Sequence, residues 1–134
     1  MEEEILKMLE CQISVPSAHC FLMRYLKAAR ADKKIVHLSC YILDGTLQSY
    51  SLNNYLPSQL AAAAVFIARR TVGCTSWSPT LLHYANYREE EVAPVARAIL
   101  ADKAATSTEL RAVLINYLSL RHGAVANTIL VCDF

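Results

Sequence analysis

Glycine and proline are both scarce here, with three glycines and four prolines in 134 residues. Strand-like alternation of apolar and polar residues is scarce too, so helices are the natural reading. Basic residues form no block or arm. Thirteen Lys and Arg face twelve Asp and Glu, for a formal net charge of +1. A nucleic-acid binder normally carries a clustered basic face, so no nucleic-acid partner is expected. No apolar run approaches the roughly 18–20 residues that span a bilayer. The acidic start Glu2-Glu3-Glu4 has the wrong sign for a signal peptide. The expectation is a soluble, intracellular chain with no membrane partner. The sequence also lacks a phosphate-cradling glycine loop and a patterned carboxylate pair.

Cysteine is present but unpatterned. Cys11, Cys20, Cys40, Cys74 and Cys132 are five in number and form no CxxC pair. That excludes a zinc ribbon or a disulfide framework and leaves reduced thiols acting as small core hydrophobes. His37 and Cys40 lie three apart on one helical face, but two ligands without two more make no metal site. His19 beside Cys20 supplies no base or oxyanion hole by adjacency alone, and His83 reads as a structural helix residue. The chain is therefore not expected to be an enzyme, and neither a cofactor nor a metal is expected.

What is abundant is apolar surface, 54% of residues against a usual 45–50%, enough for one well-buried domain. Residues 2–10 read as a short helix, acids leading and Lys7 later, the order a helix dipole favours. Pro16 ends the next connector. Ser17 can cap a helix with Phe21, Leu22, Tyr25, Leu26 and Ala29 on one face. Asp32 can cap the following helix, which carries Ile35, Leu38 and Ile42 and has Gly45 near its end. The polar run from Gln48 to Asn54 reads as a turn.

Pro57 fits the first turn of the next helix. Ala61–Ala64, Val65, Phe66, Ile67 and Ala68 make that helix apolar or small on every side, which places it in the middle of a bundle. Gly73 is its expected stop. Ser78-Pro79 is a second proline start, with Trp77 just outside it and positioned to staple onto Leu82. A further helix begins near Arg88 or Glu89, with Val92, Val95, Ala96, Ile99 and Leu100 inward and an irregularity expected at Pro94. Thr106-x-x-Glu109 reads as a capping box before Leu110, Val113, Leu114 and Tyr117. After Gly123 the tail Val125–Cys132 is expected to be extended. The predicted core anchors are Phe21, Leu22, Pro57, Ala61, Ala64, Trp77, Leu82 and Tyr117.

Set out in this order, the chain resembles the second, C-terminal cyclin box of a mitotic, B-type cyclin. The motifs are Pro16 with Phe21-Leu22, Pro57-Ser58-Gln59-Leu60-Ala61-Ala62, Trp77-Ser78-Pro79-Thr80-Leu81 with His83-Tyr84, and Tyr87-Arg88-Glu89-Glu90 with Pro94-Val95. Tyr117 and His122-Gly123-Ala124-Val125 complete the series. Each is weak alone; in order and at the family's spacing they cover nearly the whole chain. Met1-Glu2, Ile5-Leu6-Lys7 and Leu9 are similar to the last helix of the preceding box.

The resemblance implies an all-α cyclin-box bundle of five core helices around the central Ala-rich helix, plus an N-terminal helix. It divides the chain into residues 1–12 (last helix of the first box), 13–120 (the C-terminal box) and 121–134 (an extended tail). The implied role is that of a regulatory subunit of a cyclin-dependent protein kinase in the nucleus and cytoplasm, represented by its back half and lacking most of the kinase-activating surface. In the family the glutamate of the Met-Glu pair contacts the kinase beside a lysine of the first box. Glu2 matches the glutamate, and equally well serves as an acid at a helix start.

Cys11 and Ile13 occupy positions of apolar kinase contacts in the family, or else form a half-buried connector. Leu6 faces either the kinase or the first box. An exposed strip there would favour self-association through the N-terminal helix. The family's basic pocket for phosphorylated partners falls at Met23, Val36 and Cys40, none of them basic, so that function is not carried over. The alternative is a transcription-factor-type cyclin-fold module, which would need a basic face for DNA.

Overall fold

Proline starts and small residues decide where this chain becomes helical, and the computed structural model describes residues 1–74, 77–105, 112–118, 125–127 and 130. Its helices are α1 (Glu2–Met8), α2 (Ala18–Ala28), α3 (Lys33–Thr46), α4 (Pro57–Thr71), α5 (Pro79–Ala85), α6 (Glu89–Ala105) and α7 (Ala112–Leu118). Short 3₁₀ turns occur at Tyr50–Asn54 and Val125–Asn127, and no strand occurs among the described residues. The fold is all-α.

Helix α4 is the axis of the bundle. Pro57 occupies its first turn, where a missing N–H leaves no bond unmade. The Gln59 side chain reaches back to accept the Leu56 N–H at 3.0 Å, one half of a capping box. From Ala61 to Ala68 every residue is buried. Alanine on several sides lets α2, α3 and α6 all pack closely along α4. Helices α5 and α7 sit one layer out, α5 against α2 and α7 against α3.

Three helices stop in the same way. The i−3 and i−5 hydrogen bonds of a Schellman motif follow α1 at Glu10 and Cys11, α2 at Arg30 and Ala31, and α4 at Gly73 and Cys74. The left-handed residue is Gly73 in one case but Glu10 and Arg30 in the others, at φ of 49° and 48°.

Cap chemistry at the other ends is mixed. Ser78 does cap α5, its Oγ accepting the Leu81 N–H at 3.2 Å. Ser17 and Asp32 hold N-cap positions but make no side-chain cap bond. The Ser17 hydroxyl turns to the Cys20 sulfur at 3.5 Å instead. At α6 the Arg88 N–H donates to Glu91 Oε2 at 2.7 Å.

Three expectations need correcting. Trp77 does not staple onto Leu82. Helix α5 turns Leu81 and Ala85 inward, so Leu82 points outward at 42% exposure and is no core anchor. The Trp77 ring instead meets Phe66 edge-on, centroids 6.0 Å apart, and its Nε1–H donates to the Tyr87 carbonyl at 2.9 Å. Pro57 is exposed, since its ring caps an end of the helix and not its packed face. Val125–Asn127 form a 3₁₀ turn against α3 and α7, not an extended segment.

Leu22, Ala61 and Ala64 are fully buried and Phe21 packs partly buried against them. The proposed capping box at Thr106 and Glu109 lies outside the described residues. Pro94 sits inside a continuous α6, on its exposed side.

A polar cluster closes the end of the bundle where α3, α6 and α7 meet. The Tyr117 hydroxyl donates to Asp44 Oδ2 at 2.7 Å, and its ring lies 5.4 Å from that of Tyr41. Over the same Tyr41 ring sits Lys103 Nζ, 3.4 Å from the centroid. Nearby, the hydroxyls of Ser49 and Ser51 both donate to Asp102 Oδ1, fastening the 3₁₀ turn Tyr50–Asn54 to α6.

Candidate partner-binding surface

The residues singled out for partner contact, Glu2, Leu6, Cys11 and Ile13, all lie on α1 or in the connector that follows it. Acids in the first turn and Lys7 in the last suit the α1 dipole, and Lys7 pairs with Glu3 at 3.0 Å. The Met1 ammonium also pairs with Glu4, at 3.5 Å, and α1 buries no residue. Beyond Met8 the chain folds back tightly. The Cys11 N–H reaches the Leu6 carbonyl at 2.9 Å and the Ile13 N–H reaches the Cys11 carbonyl at 3.0 Å. Leu6, Cys11 and Ile13 thus gather in one compact turn, whereas Glu2 lies at the opposite end of α1.

Leu6 is half-buried; Glu2, Cys11 and Ile13 are exposed, Ile13 at 66%. Ile5, Met8, Leu9 and Val15 are exposed as well. Residues 1–15 therefore present an apolar strip with an acidic rim to solvent, the pattern of a contact surface.

A second surface escaped sequence reasoning. Between α2 and α5 runs an open groove of about 470 Å³ lined by Cys20, Met23, Arg24, Lys27, Ala28 and Tyr84. The Arg24 guanidinium lies 5.6 Å from the Tyr84 ring centre. Arg24 and Lys27 are one turn apart, and neither is in an ion pair among the described residues. Two cations at i and i+3 beside Met23 were the available signal. Their weight depends on Tyr84 arriving from another helix, which spacing does not show.

The surface offers little bond chemistry. Hydrogen bonds from the Ser17 hydroxyl and backbone hold the exposed Cys20 thiol below its ordinary pKa. Among the described residues no other side chain hydrogen-bonds to it. Burial, helped by Asp44, pushes the Cys40 thiol up. No group of three His, Cys, Asp or Glu side chains able to hold a metal occurs among the described residues. Among those residues, too, no helix is long and apolar enough to cross a membrane. Met23 is exposed and Val36 and Cys40 are half-buried.

Residues 16–129 match the family model described as the C-terminal domain of cyclins. The chain belongs to the cyclin family. The helices α2 to α7 are thus its cyclin box, with α4 as the central helix. Rice (Oryza sativa subsp. indica) Cyclin-B2-2 is 33% identical over 130 residues, covering 96% of this chain and 31% of the relative. Arabidopsis thaliana Cyclin-A2-2 is 42% identical over 108 residues, or 75% of this chain and 24% of the relative. The G2/mitotic-specific cyclin-1 of Medicago sativa subsp. varia is 41% identical over 93 residues, 69% of this chain and 22% of the relative.

The chain therefore spans less than a third of each of these cyclins. The family match begins at residue 16, beyond α1, whereas the rice alignment at 96% of the chain reaches into α1.

Proposed function

We propose that this cyclin box is the C-terminal part of the regulatory subunit of a cyclin-dependent protein kinase, acting in cell-cycle control in the nucleus and cytoplasm. The observation that carries the reading is the unburied strip of residues 1–15 joined to a box that matches A- and B-type cyclins. A cyclin activates by binding its kinase's active arrangement better than the inactive one, so that interface energy shifts the population.

In this reading Leu6, Cys11 and Ile13 supply apolar contact to the kinase and Glu2 an electrostatic one. The α2–α7 box braces that strip from behind and takes no catalytic part. Its scaffold is specialised for packing, so residues 1–134 alone bind the kinase without activating it. The same uncovered strip also brings copies of the chain together.

The test is to titrate the chain into a cyclin-dependent kinase while following both binding and substrate phosphorylation. Binding without stimulation is expected, and Leu6→Asp with Ile13→Asp should abolish it. Robust stimulation by the chain alone overturns the assignment of the activating surface elsewhere. Binding that survives the double substitution overturns the role given to the strip.

A further inference from the structure

The basic groove between α2 and α5 and the acidic, apolar α1 are complementary: among the described residues the groove stands open and α1 buries none of its own residues. We propose that α1 of one copy lies in the α2–α5 groove of a second copy, and that two such contacts close a reciprocal dimer.

The groove offers Arg24 and Lys27 outside any ion pair among the described residues, with the exposed faces of Met23 and Tyr84 beside them. Helix α1 offers Glu2, Glu3 and Glu4 at one end and Ile5, Met8 and Leu9, all exposed, further along. The glutamates meet the two cations while the apolar side chains cover Met23 and Tyr84. That arrangement removes from water the largest run of exposed hydrophobes in residues 1–15. Among the described residues no acidic side chain lines the groove to compete for its cations.

Reciprocity follows from size. One seven-residue helix cannot approach the roughly 1,200 Å² that a specific interface buries in total, but two exchanged helices make a closed, self-complementary contact. The contact also has a consequence for activity. It covers Leu6 and its neighbours, so dimerisation and kinase binding compete for the strip and each weakens the other to the same extent.

This inference rests on the reading that the exposed strip self-associates, and the experiment separates the two. Sedimentation equilibrium on residues 1–134, with no kinase present, is run on the parent chain and on two charge-reversed variants. One is Arg24→Glu with Lys27→Glu in the groove; the other is Glu2→Lys, Glu3→Lys and Glu4→Lys in α1. Circular-dichroism melts confirm that both remain folded.

The parent should show a reversible monomer–dimer equilibrium that weakens with added salt, and each variant alone should be monomeric. An equimolar mixture should dimerise again. In the mixture each α1 finds a groove of opposite charge, parent helix in parent groove and reversed helix in reversed groove. A parent that stays monomeric at high micromolar concentration overturns self-association itself. A parent dimer that survives Arg24→Glu with Lys27→Glu, or a mixture that stays monomeric, overturns the groove as the docking site.

Discussion

Arg30 carries a backbone conformation that glycine holds at less cost. At φ 48° it terminates α2 just as Gly73, at φ 92°, terminates α4. A side chain in the left-handed region is strained by its own Cβ, whatever room surrounds it. Arg30→Gly should therefore stabilise the box by about 0.5–1 kcal/mol once the extra freedom of the unfolded chain is subtracted. Gly73→Ala should destabilise it by about 1 kcal/mol. Apart from its chain neighbours, no described residue comes within 4 Å of a Cβ placed at Gly73, so this second cost is conformational. Urea titrations of the two variants read both numbers, and equal signs would refute the shared-motif account.

Lys103 makes a residue-scale statement about pH. Burial lowers its ammonium from an ordinary 10.5 to about 8. A cation whose folded pKa is depressed destabilises the fold below that value. Between the folded and unfolded values the unfolded chain binds more protons, so stability rises with pH. The thiol of Cys40 and the hydroxyls of Tyr41 and Tyr117 are all raised by burial and act in the opposite sense above pH 9. The window that isolates Lys103 from these groups is therefore pH 8 to 9, where the lowered Cys20 thiol acts in the same sense as Lys103 but is common to both proteins. Lys103 should contribute roughly 1 kcal/mol to the parent there, the linkage value of one pH unit. Lys103→Met should gain less by about that amount, and an identical slope in both proteins would remove Lys103 from the explanation.

At the scale of elements, Trp77 shows how a right residue can be given the wrong neighbour. The hydrophobic-staple rule points to Leu82 at the fourth helical position, but α5 is only seven residues long and packs on α2 through Leu81 and Ala85. Trp77 is left to join α4, through Phe66, to the loop before α6, through the Tyr87 carbonyl. Trp77→Ala should cost about 3 kcal/mol, the low end for a large aromatic because the ring is only partly buried. Trp77→Phe should recover the ring contact but not the hydrogen bond, losing roughly 1 kcal/mol. A thermal melt within a degree or two of the parent for Trp77→Ala would contradict this linking role.

The helices themselves were legible, because proline starts, an all-apolar α4 and the acidic start of α6 are local signals. The groove and the Tyr117–Asp44–Lys103 cluster were not, since each joins residues from different helices and neither has a spacing that marks it. Pro57 was legible as a start and misjudged as core for a related reason. Its chemistry concerns a missing N–H, not burial.

For the whole molecule, the decisive contrast is between a box that packs on itself and a helix that buries none of its residues. Among the described residues, helices α2 to α6 contribute nearly all the buried hydrophobes, with Leu52, Tyr117 and Val125 added. Helix α1 contributes none, and the cyclin-domain match starts only at residue 16. The free energy of the fold should therefore be almost independent of the first fifteen residues. Removing them takes away surface ion pairs such as Lys7–Glu3, each worth well under 1 kcal/mol. It also strips out exposed hydrophobes that bury little on folding.

A chain of residues 16–134 should melt within about 2 °C of the parent, since a shift of 1 kcal/mol moves a domain of this size by roughly 4 °C. It should also lose both kinase binding and self-association, because every residue assigned to those contacts on the N-terminal side is gone. Thermal denaturation followed by sedimentation of the same sample checks both halves. A large drop in melting temperature would mean that α1 is a structural part of the box. An unchanged melt with association intact would move the interface off α1 altogether. The expected combination, full stability with lost association, makes this end of the chain a surface held ready for another molecule.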